Sequence, residues 1–364
     1  MAAGGGGDAI TSAVLSRALD LTDPLVIMTY SWDRLMIDPL PGPRTASDFT
    51  GLHHLGPHTA EILPTTHARP PAGSSLPRLA MQLPARLILL DPSEGATGMA
   101  TQLLATAELF EADNLTLVDV GGDVLTDGRD PGLRSPLADQ LALAACLRTG
   151  LLTRIVIAAP SIDGELEPAT LRTRLDAAHA DRLQSVTATD LAPVREVFTW
   201  HPSEASGLLA AAASGSRGRV EVRDAGDQVV LTDETANLYA VDLTDVSDTV
   251  PGAALTDTTS LAEAADLIRQ LTGTSEIDYE TAKAAKRNGQ STHAVTADDL
   301  HAIDQHAQDA AARGADYISM RRLSELIGAT TLDDYADLAS LIATDRPARY
   351  APSIYRTTAE SGSS

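Results

Sequence analysis

The sequence predicts an α/β protein: an open, mostly parallel sheet with helices on both faces, a small antiparallel addition and a helical C-terminal part. Three observations predict it. Short apolar runs recur, and each passes through a loop bearing Gly and Asp into a segment with apolar residues at helical spacing. Between residues 219 and 243 the pattern changes to alternating β-branched residues separated by Gly-Asp turns. From residue 259 onward helical periodicity dominates. The composition shifts read as an α/β core over 1–245, a helical part over 246–349 packed on it, and a frayed tail over 350–364.

The chain opens MAAGGGGDA, and Ile10, Val14, Ala18 and Leu21 then share one helical face. Gly4, Gly5, Gly6 and Gly7 directly before a helix suit a tight strand-to-helix turn whose free N–H groups face a ligand. Asp8 follows in the first helical turn, where a negative charge favours the helix dipole. The spacing is not that of a dinucleotide fingerprint. Only Met1 to Ala3 precede the glycines, so the first strand is stunted or the natural start lies upstream.

Residues 24–30 (PLVIMTY) read as a buried strand that runs into a long loop rich in Pro and Gly, with Trp32, Asp33, Arg34, Asp38 and Arg44. Loops of this length tend to be functional or disordered, and Trp32 with its flanking charges favours function. His53, His54, His58 and His67 match no zinc spacing and share no helical face, so 53–67 reads as a polar loop or surface. Residues 70–83 form a turn and a helix capped at Ser74 or Ser75. Residues 86–90 (RLILL) are another strand, ending at Asp91, Glu94, Gly95 and Gly98 before a helix that carries Met99, Leu103, Leu104 and Leu109.

The central stretch is LVDVGGDVLTDGRDPGLRSPLADQL, residues 117–141. A buried strand meets Gly121 and Gly122, with Asp119, Asp123, Asp127 and Asp130 beside Arg129 and Arg134, and Ser135-Pro136 opens a helix. Residues 154–159 (RIVIAA) are one more strand, with Pro160 and Asp163 at its end. Helical patterns follow at 167–180, 190–198 and 203–213, and the alternating segments at 219–223, 228–232 and 237–243 form the antiparallel addition. Helices return at 259–272, 296–313, 318–327 and 333–343, around a loosely patterned polar region at 274–295.

In open α/β sheets, ligands bind outside the carboxyl ends of the strands. If the strands are parallel neighbours, the loops at 4–8, 91–98 and 119–135 converge on one crevice. Asp119 and Asp123, flanking the Gly pair, are the candidate catalytic and metal-holding residues, because clustered carboxylates hold Mg²⁺ and shift one another's pKa. Gly4 to Gly7, Asp8, Trp32, Arg34, Arg44, Asp91, Gly121, Gly122, Arg134 and Ser135 are the candidate substrate contacts, with Arg44 and Arg134 as bidentate anion clamps. No nucleophile elbow, phosphate-binding lysine loop or zinc-protease motif occurs.

Composition narrows the classes. The chain has 364 residues, 43% hydrophobic but only 3% aromatic, so its core is built from Leu, Ile, Val and Ala. A net charge of -23 argues against nucleic acid and against an anionic membrane surface. The single Cys146 excludes an intrachain disulfide and a cysteine metal cluster, and reads as a core residue. With no signal peptide and no long apolar run, the expected location is cytoplasmic. The bias toward Ala, Arg, Asp and Leu, with only the two lysines Lys283 and Lys286, reflects genomic composition and fits specialised biosynthesis. A homodimer is the default expectation, because most soluble oligomers take that form.

GGGGDA at 4–9, SWDRL with DPLPGPR at 31–44, DPSEGATGM at 91–99 and VDVGGDVLTDGRDPGLRSPLAD at 118–139 together resemble the bacterial and archaeal family catalogued as domain of unknown function 1152. The resemblance covers most of the chain, is strongest in the first 160 residues, and implies one enzyme-like α/β domain without implying a reaction. The leading expectation is a metabolic enzyme that binds a small polar, phosphorylated or nucleotide-like substrate in the crevice, by group transfer or hydrolysis. The alternatives are an amino-acid-acting lyase or hydrolase and a non-catalytic small-molecule sensor.

Overall fold

The computed structural model describes residues 1–21, 25–223, 227–287 and 293–358. Residues 1–3 lead into α1 (Gly6–Ala18) and β1 (Val26–Thr29), and a long connection carries β2 (Phe49–Thr50), β3 (His53–Gly56), β4 (Thr59–Ile62) and β5 (His67–Ala68) to α2 (Leu76–Gln82). Then β6 (Arg86–Leu89), α3 (Gly95–Leu109), β7 (Asn114–Val120), α4 (Pro136–Thr149), β8 (Leu152–Ala158) and α5 (Pro168–Ala177) alternate. β9 (Asp181–Arg182), α6 (Glu204–Ala213), the hairpin of β10 (Gly218–Val222) and β11 (Asp227–Leu231), and β12 (Leu238–Asp242) follow. The remainder is α7 (Leu243–Val246), α8 (Leu261–Thr272), α9 (Glu276–Arg287), α10 (Leu300–Ala312), β13 (Tyr317–Ser319), α11 (Met320–Ile327), α12 (Leu332–Asp345), β14 (Tyr350–Ala351) and β15 (Ile354–Arg356).

Residues 1–3 fill the place of the first strand. The Ala2 N–H donates to Met28 at 2.8 Å, the Ala3 N–H to Val118 at 2.8 Å, and the Val118 N–H to Met1 at 2.8 Å. This short segment therefore joins β1 on one side to β7 on the other. Pairing of β1 with β6 and of β7 with β8 is parallel. The parallel centre thus runs β6, β1, residues 1–3, β7, β8. In chain order that is 3-2-1-4-5, a doubly wound sheet whose direction of winding reverses between residues 1–3 and β7. Antiparallel strands extend both edges, β4 and β3 beyond β6, and β12 and β9 beyond β8.

Parallel strands buried on both faces read as unbroken apolar runs, and successive residues serve opposite cores. Val118, Val120, Val156 and Ala158 pack with α1, α2 and α6, whereas Leu117, Ile155 and Ile157 pack with α3, α4 and α8. Each such fully buried aliphatic side chain contributes roughly 2 kcal/mol. α4 is buried all round from Pro136 to Cys146, because it is packed between α3, α8 and the sheet, and it is apolar there except for Asp139 and Gln140.

Three expectations need correction. Residues 53–62 are not a polar loop: β3 and β4 form a hairpin on the edge of the main sheet, with His53 paired to Glu61 at 3.0 Å. The segments at 219–232 do not join the main sheet. β10 and β11 start a second sheet, ordered β11-β10-β13-β15-β14, because the C-terminal β13 offers β10 a parallel partner, and only β12 joins the main sheet. Residues 350–358 are not frayed, since β14 and β15 pair there and Tyr355 is fully buried in a third core with Tyr335 and Ile342. Residues 359–364 lie outside the described residues. Among the described residues no helix is long and apolar enough to cross a membrane.

Candidate active site at the switch point

Two loops leave the reversal point of the sheet. One follows residues 1–3 and enters α1, and the other follows β7 and leads to α4. α1 and α4 lie on opposite faces, and both N-termini face the gap between the two strand ends. The first N–H groups of a helix have no intrahelical acceptor, so this gap collects partial positive charge from two helices.

The glycines of the first loop are there for close packing. A Cβ on Gly5 would lie 2.2 Å from the Trp32 carbonyl oxygen, and one on Gly7 2.5 Å from Ser203 Oγ. Gly6 packs on Ser75 and His201 in the same way. The Gly4 N–H donates to Asp8 Oδ2 at 2.6 Å, closing the loop on itself. In the second loop Gly121, at φ 127°, would place a Cβ 2.0 Å from Asp163 Oδ2. Gly122, at φ 101°, lies against Leu171. Gly121 therefore admits the 160–167 loop and Gly122 the side of α5, so neither glycine makes room for a ligand.

What faces the gap is carboxylate. Asp8, in the first turn of α1, Asp119, at the end of β7, and Asp139, in the first turn of α4, have carboxylate oxygens all within 4.8 Å of one another. Asp139 is 6% exposed, and its Oδ1 is buried without a hydrogen-bond partner among the described residues. Asp119 accepts the Val124 N–H at 3.1 Å and shares a hydrogen bond with Asp123. Asp123 also lies 3.5 Å from Ser135 Oγ. Asp163, Glu165, Glu276 and Glu280 complete a chamber of about 130 Å³.

Burial, then mutual repulsion, pushes these carboxyls up. Burial raises Asp8 to about 7 against the opposing Gly4 N–H, and raises Asp163 to about 7 with Glu165 adding to it. Glu276 rises to about 8, again chiefly by burial. Asp119, Asp123 and Asp139 stand well above the ordinary carboxyl range, first from burial and then from one another's charge. Near neutral pH the cluster without a cation holds protons.

Arg34 lies at the chamber's mouth, exposed, and its guanidinium has no hydrogen-bond or ion-pair partner among the described residues. The outer vestibule adds Arg134, Arg223, Lys283, Arg321 and Glu325, contributed by the second sheet, α9 and α11 as well as the central loop. Arg134 is tied to Asp227 at 3.3 Å and Lys283 to Glu325 at 3.6 Å. The Arg223 guanidinium, like that of Arg34, has no hydrogen-bond or ion-pair partner among the described residues.

A supporting shell fixes this arrangement. Glu165 accepts the Arg134 N–H at 2.7 Å, the Ser135 N–H at 3.0 Å and the Ser135 hydroxyl, which holds the start of α4. Glu276 accepts the Ala138 N–H at 2.7 Å. Glu280 accepts the Trp32 Nε1–H at 2.9 Å and the Gly42 N–H at 2.8 Å, clamping α9 over the crevice. Beneath the glycine loop, Ser75 donates to Asp33 at 2.5 Å, and His201 Nε2 lies 3.2 Å from Ser75 Oγ. Burial lowers His201 to about 3, and its Nδ1 accepts the Ser203 N–H at 3.2 Å, so the neutral ring carries its proton on Nε2.

Of the residues singled out in the sequence, Gly4 to Gly7, Asp8, Trp32, Arg34, Asp119, Asp123 and Ser135 line this chamber, and Arg134 lines the vestibule. Four do not reach it: Gly121 and Gly122 pack on Asp163 and Leu171 instead of facing the chamber, and Arg44 and Asp91 are engaged elsewhere. Arg44 is buried, paired with Asp38 at 2.9 Å, and donates to the Pro41 and Gly42 carbonyls at 2.7 Å, so it staples its own loop and clamps no ligand. Asp91 follows β6, two strands from the reversal point, and its carboxylate accepts the Ala46 N–H at 2.7 Å and the Ser93 N–H at 2.9 Å. Asp127 and Asp130 pair with Arg174. No histidine belongs to a metal-capable cluster among the described residues.

Sequence reasoning missed Asp139, Glu165, Glu276 and Glu280 as site residues. Asp139 had a signal, being the first-turn acid of a helix that opens at the central loop. Glu276 and Glu280 had none, because their segment shows no apolar pattern and its position depends on tertiary docking.

No curated protein and no solved structure matches the chain. Residues 1–284, from the glycine loop through most of α9, match the family described as protein of unknown function (DUF1152). The chain belongs to that family.

Proposed function

We propose that this protein is a divalent-cation-dependent enzyme that transfers or hydrolyses a group on a small phosphorylated molecule at the switch point. The observation that carries this reading is the triad Asp8, Asp119 and Asp139, with an unpartnered, buried Asp139 Oδ1 in its midst and an unpaired Arg34 at its mouth. Hard cations such as Mg²⁺ take carboxylate oxygens and keep several waters. Three carboxylates from three rigid elements fit such an ion, and so does the orphaned oxygen, which otherwise bears the cost of burial without a partner. Mg²⁺ held there would neutralise charge on a phosphoryl group.

The chain's own residues supply the rest. Arg34 orients the anionic group. Asp123 stands beside the triad with its carboxyl well above the ordinary range, as a proton carrier needs. α9, held by Glu280, forms one wall of the chamber with Glu276 and Glu280. Excess carboxylate also suits a substrate amine, so ammonium-bearing ligands belong in the same assay. The test is phosphate release or transfer from a panel of phosphate esters, with Mg²⁺, Mn²⁺ or chelator. Turnover that needs the ion and falls at least 100-fold in Asp123→Asn supports the reading. Ion-independent turnover, or binding of amines alone, overturns it.

A further inference from the structure

A second opening begins where the vestibule ends. Between α5, the 160–167 loop and the β10–β11 hairpin lies a cleft of about 810 Å³, well within the size range of small-molecule sites. It is continuous with the vestibule, because Arg134 and Arg223 line both. At the 160–167 loop the two cavities are neighbours, with Gly164 lining the cleft and Asp163 the carboxylate chamber, and a Cβ on Gly164 would lie 3.2 Å from the Arg223 guanidinium.

The chemistry of its wall is specific. Leu171 and Leu175 from α5, Val222 and Val229 from the hairpin, and Tyr239 from β12 give an apolar floor. Two ion pairs span the rim, beside the Arg223 guanidinium, which is unpaired among the described residues. Arg134 pairs with Asp227 and Arg172 with Glu234, each at 3.3 Å. Exposed pairs of this kind are weak and part readily. Ser161, 8% exposed and on the wall, has a buried Oγ with no hydrogen-bond partner among the described residues. Apolar faces beside one orphaned hydroxyl suit a flat heteroaromatic ring, which offers apolar faces and a hydrogen-bonding edge. A hydrocarbon chain would leave the hydroxyl unpaired, and a bare sugar would leave the apolar floor uncovered.

We propose that the phosphorylated substrate is a nucleoside phosphate, with its phosphate between Arg34, Arg223 and the carboxylate chamber and its nucleoside in the α5–hairpin cleft. This rests on the reading of the chamber given above. The experiment is calorimetric titration, in Mg²⁺, of the full chain with inorganic phosphate, ribose 5-phosphate and AMP, repeated in Val230→Trp, which fills the cleft from a half-exposed position, and in Ser161→Ala. AMP is expected to bind at least tenfold tighter than either smaller phosphate. That gain is expected to shrink to within twofold in Val230→Trp and severalfold in Ser161→Ala, with inorganic phosphate still bound by both. If inorganic phosphate binds and AMP gains nothing, or the gain survives both substitutions, the cleft assignment fails and the chamber reading stands. If neither phosphate nor AMP binds, both fail.

Discussion

Asp8 and Asp139 sit in the first turns of helices on opposite faces of the sheet, yet their carboxylate oxygens lie within 4.8 Å of each other. The doubly wound sheet brings them together. The reversal of winding between residues 1–3 and β7 points two helix N-termini at one gap, and each helix places an acid in its first turn.

The cluster makes the metal-free fold sensitive to pH. Asp8 and Asp163 stand at about 7 and Glu276 at about 8, all raised above their unfolded values. A raised carboxyl holds its proton more tightly folded than unfolded. Its contribution is therefore fully present below about pH 4 and is lost as pH rises through its folded value. The melting temperature of chelator-treated protein is expected to fall by roughly 5 °C or more between pH 5.5 and 8.5. Mg²⁺ is expected to restore more of it at pH 8.5 than at pH 5.5. A melting temperature that rises over this range would contradict the assignment.

Arg34 and Arg44 are ten residues apart in one loop and are expected to behave oppositely. Arg34 is exposed and unpaired among the described residues, so Arg34→Ala should leave stability within about 0.5 kcal/mol of the parent. The same change should weaken phosphate binding at least tenfold. Arg44→Met breaks a buried pair with Asp38 and should destabilise by roughly 3–5 kcal/mol. Chemical denaturation and phosphate titration on both variants give the comparison, and equal destabilisation would refute it.

Gly5→Ala tests the packing account of the glycine loop. The new Cβ would meet the Trp32 carbonyl at 2.2 Å, which is backbone and yields little. A loss of about 1–3 kcal/mol in chemical denaturation is expected from overpacking. An unchanged midpoint would mean that the loop has room to move.

Glu280→Gln tests the clamp on α9. Its carboxylate accepts from Trp32 and from Gly42, and a neutral amide keeps the shape but weakens both bonds. Hydrogen exchange over 276–287 is expected to quicken, while exchange in β7 stays as it was. Equal exchange over α9 in the variant and the parent would show that the clamp is elsewhere.

The strand–loop–helix repeat was legible because parallel strands buried on both sides are continuous apolar runs and their helices carry a 3.6-residue period. The same pattern placed Asp8, Asp119 and Asp123 at one edge of the sheet. Residues 1–3 were legible only as a stunted first strand, with an upstream start as the alternative. Three residues carry no periodicity, and their place is set by hydrogen bonds to Met28 and Val118 on both sides. β10 and β11 read correctly as strands but their sheet did not, because the partner β13 lies about 100 residues further on. Arg44 looked like a clamp because the sequence shows a charge and not its buried partner Asp38.

On the proposal above, Asp8, Asp119 and Asp139 hold one divalent cation. Calorimetric titration of chelator-treated protein with Mn²⁺ at pH 7.5, beside Asp139→Asn, tests it most directly. One ion per chain is expected in the parent, and at least tenfold weaker binding in Asp139→Asn. The metal-free variant is expected to melt no lower than the parent, since a buried orphaned carboxylate has been neutralised. No heat in the parent, or equal affinity in the two proteins, would contradict it.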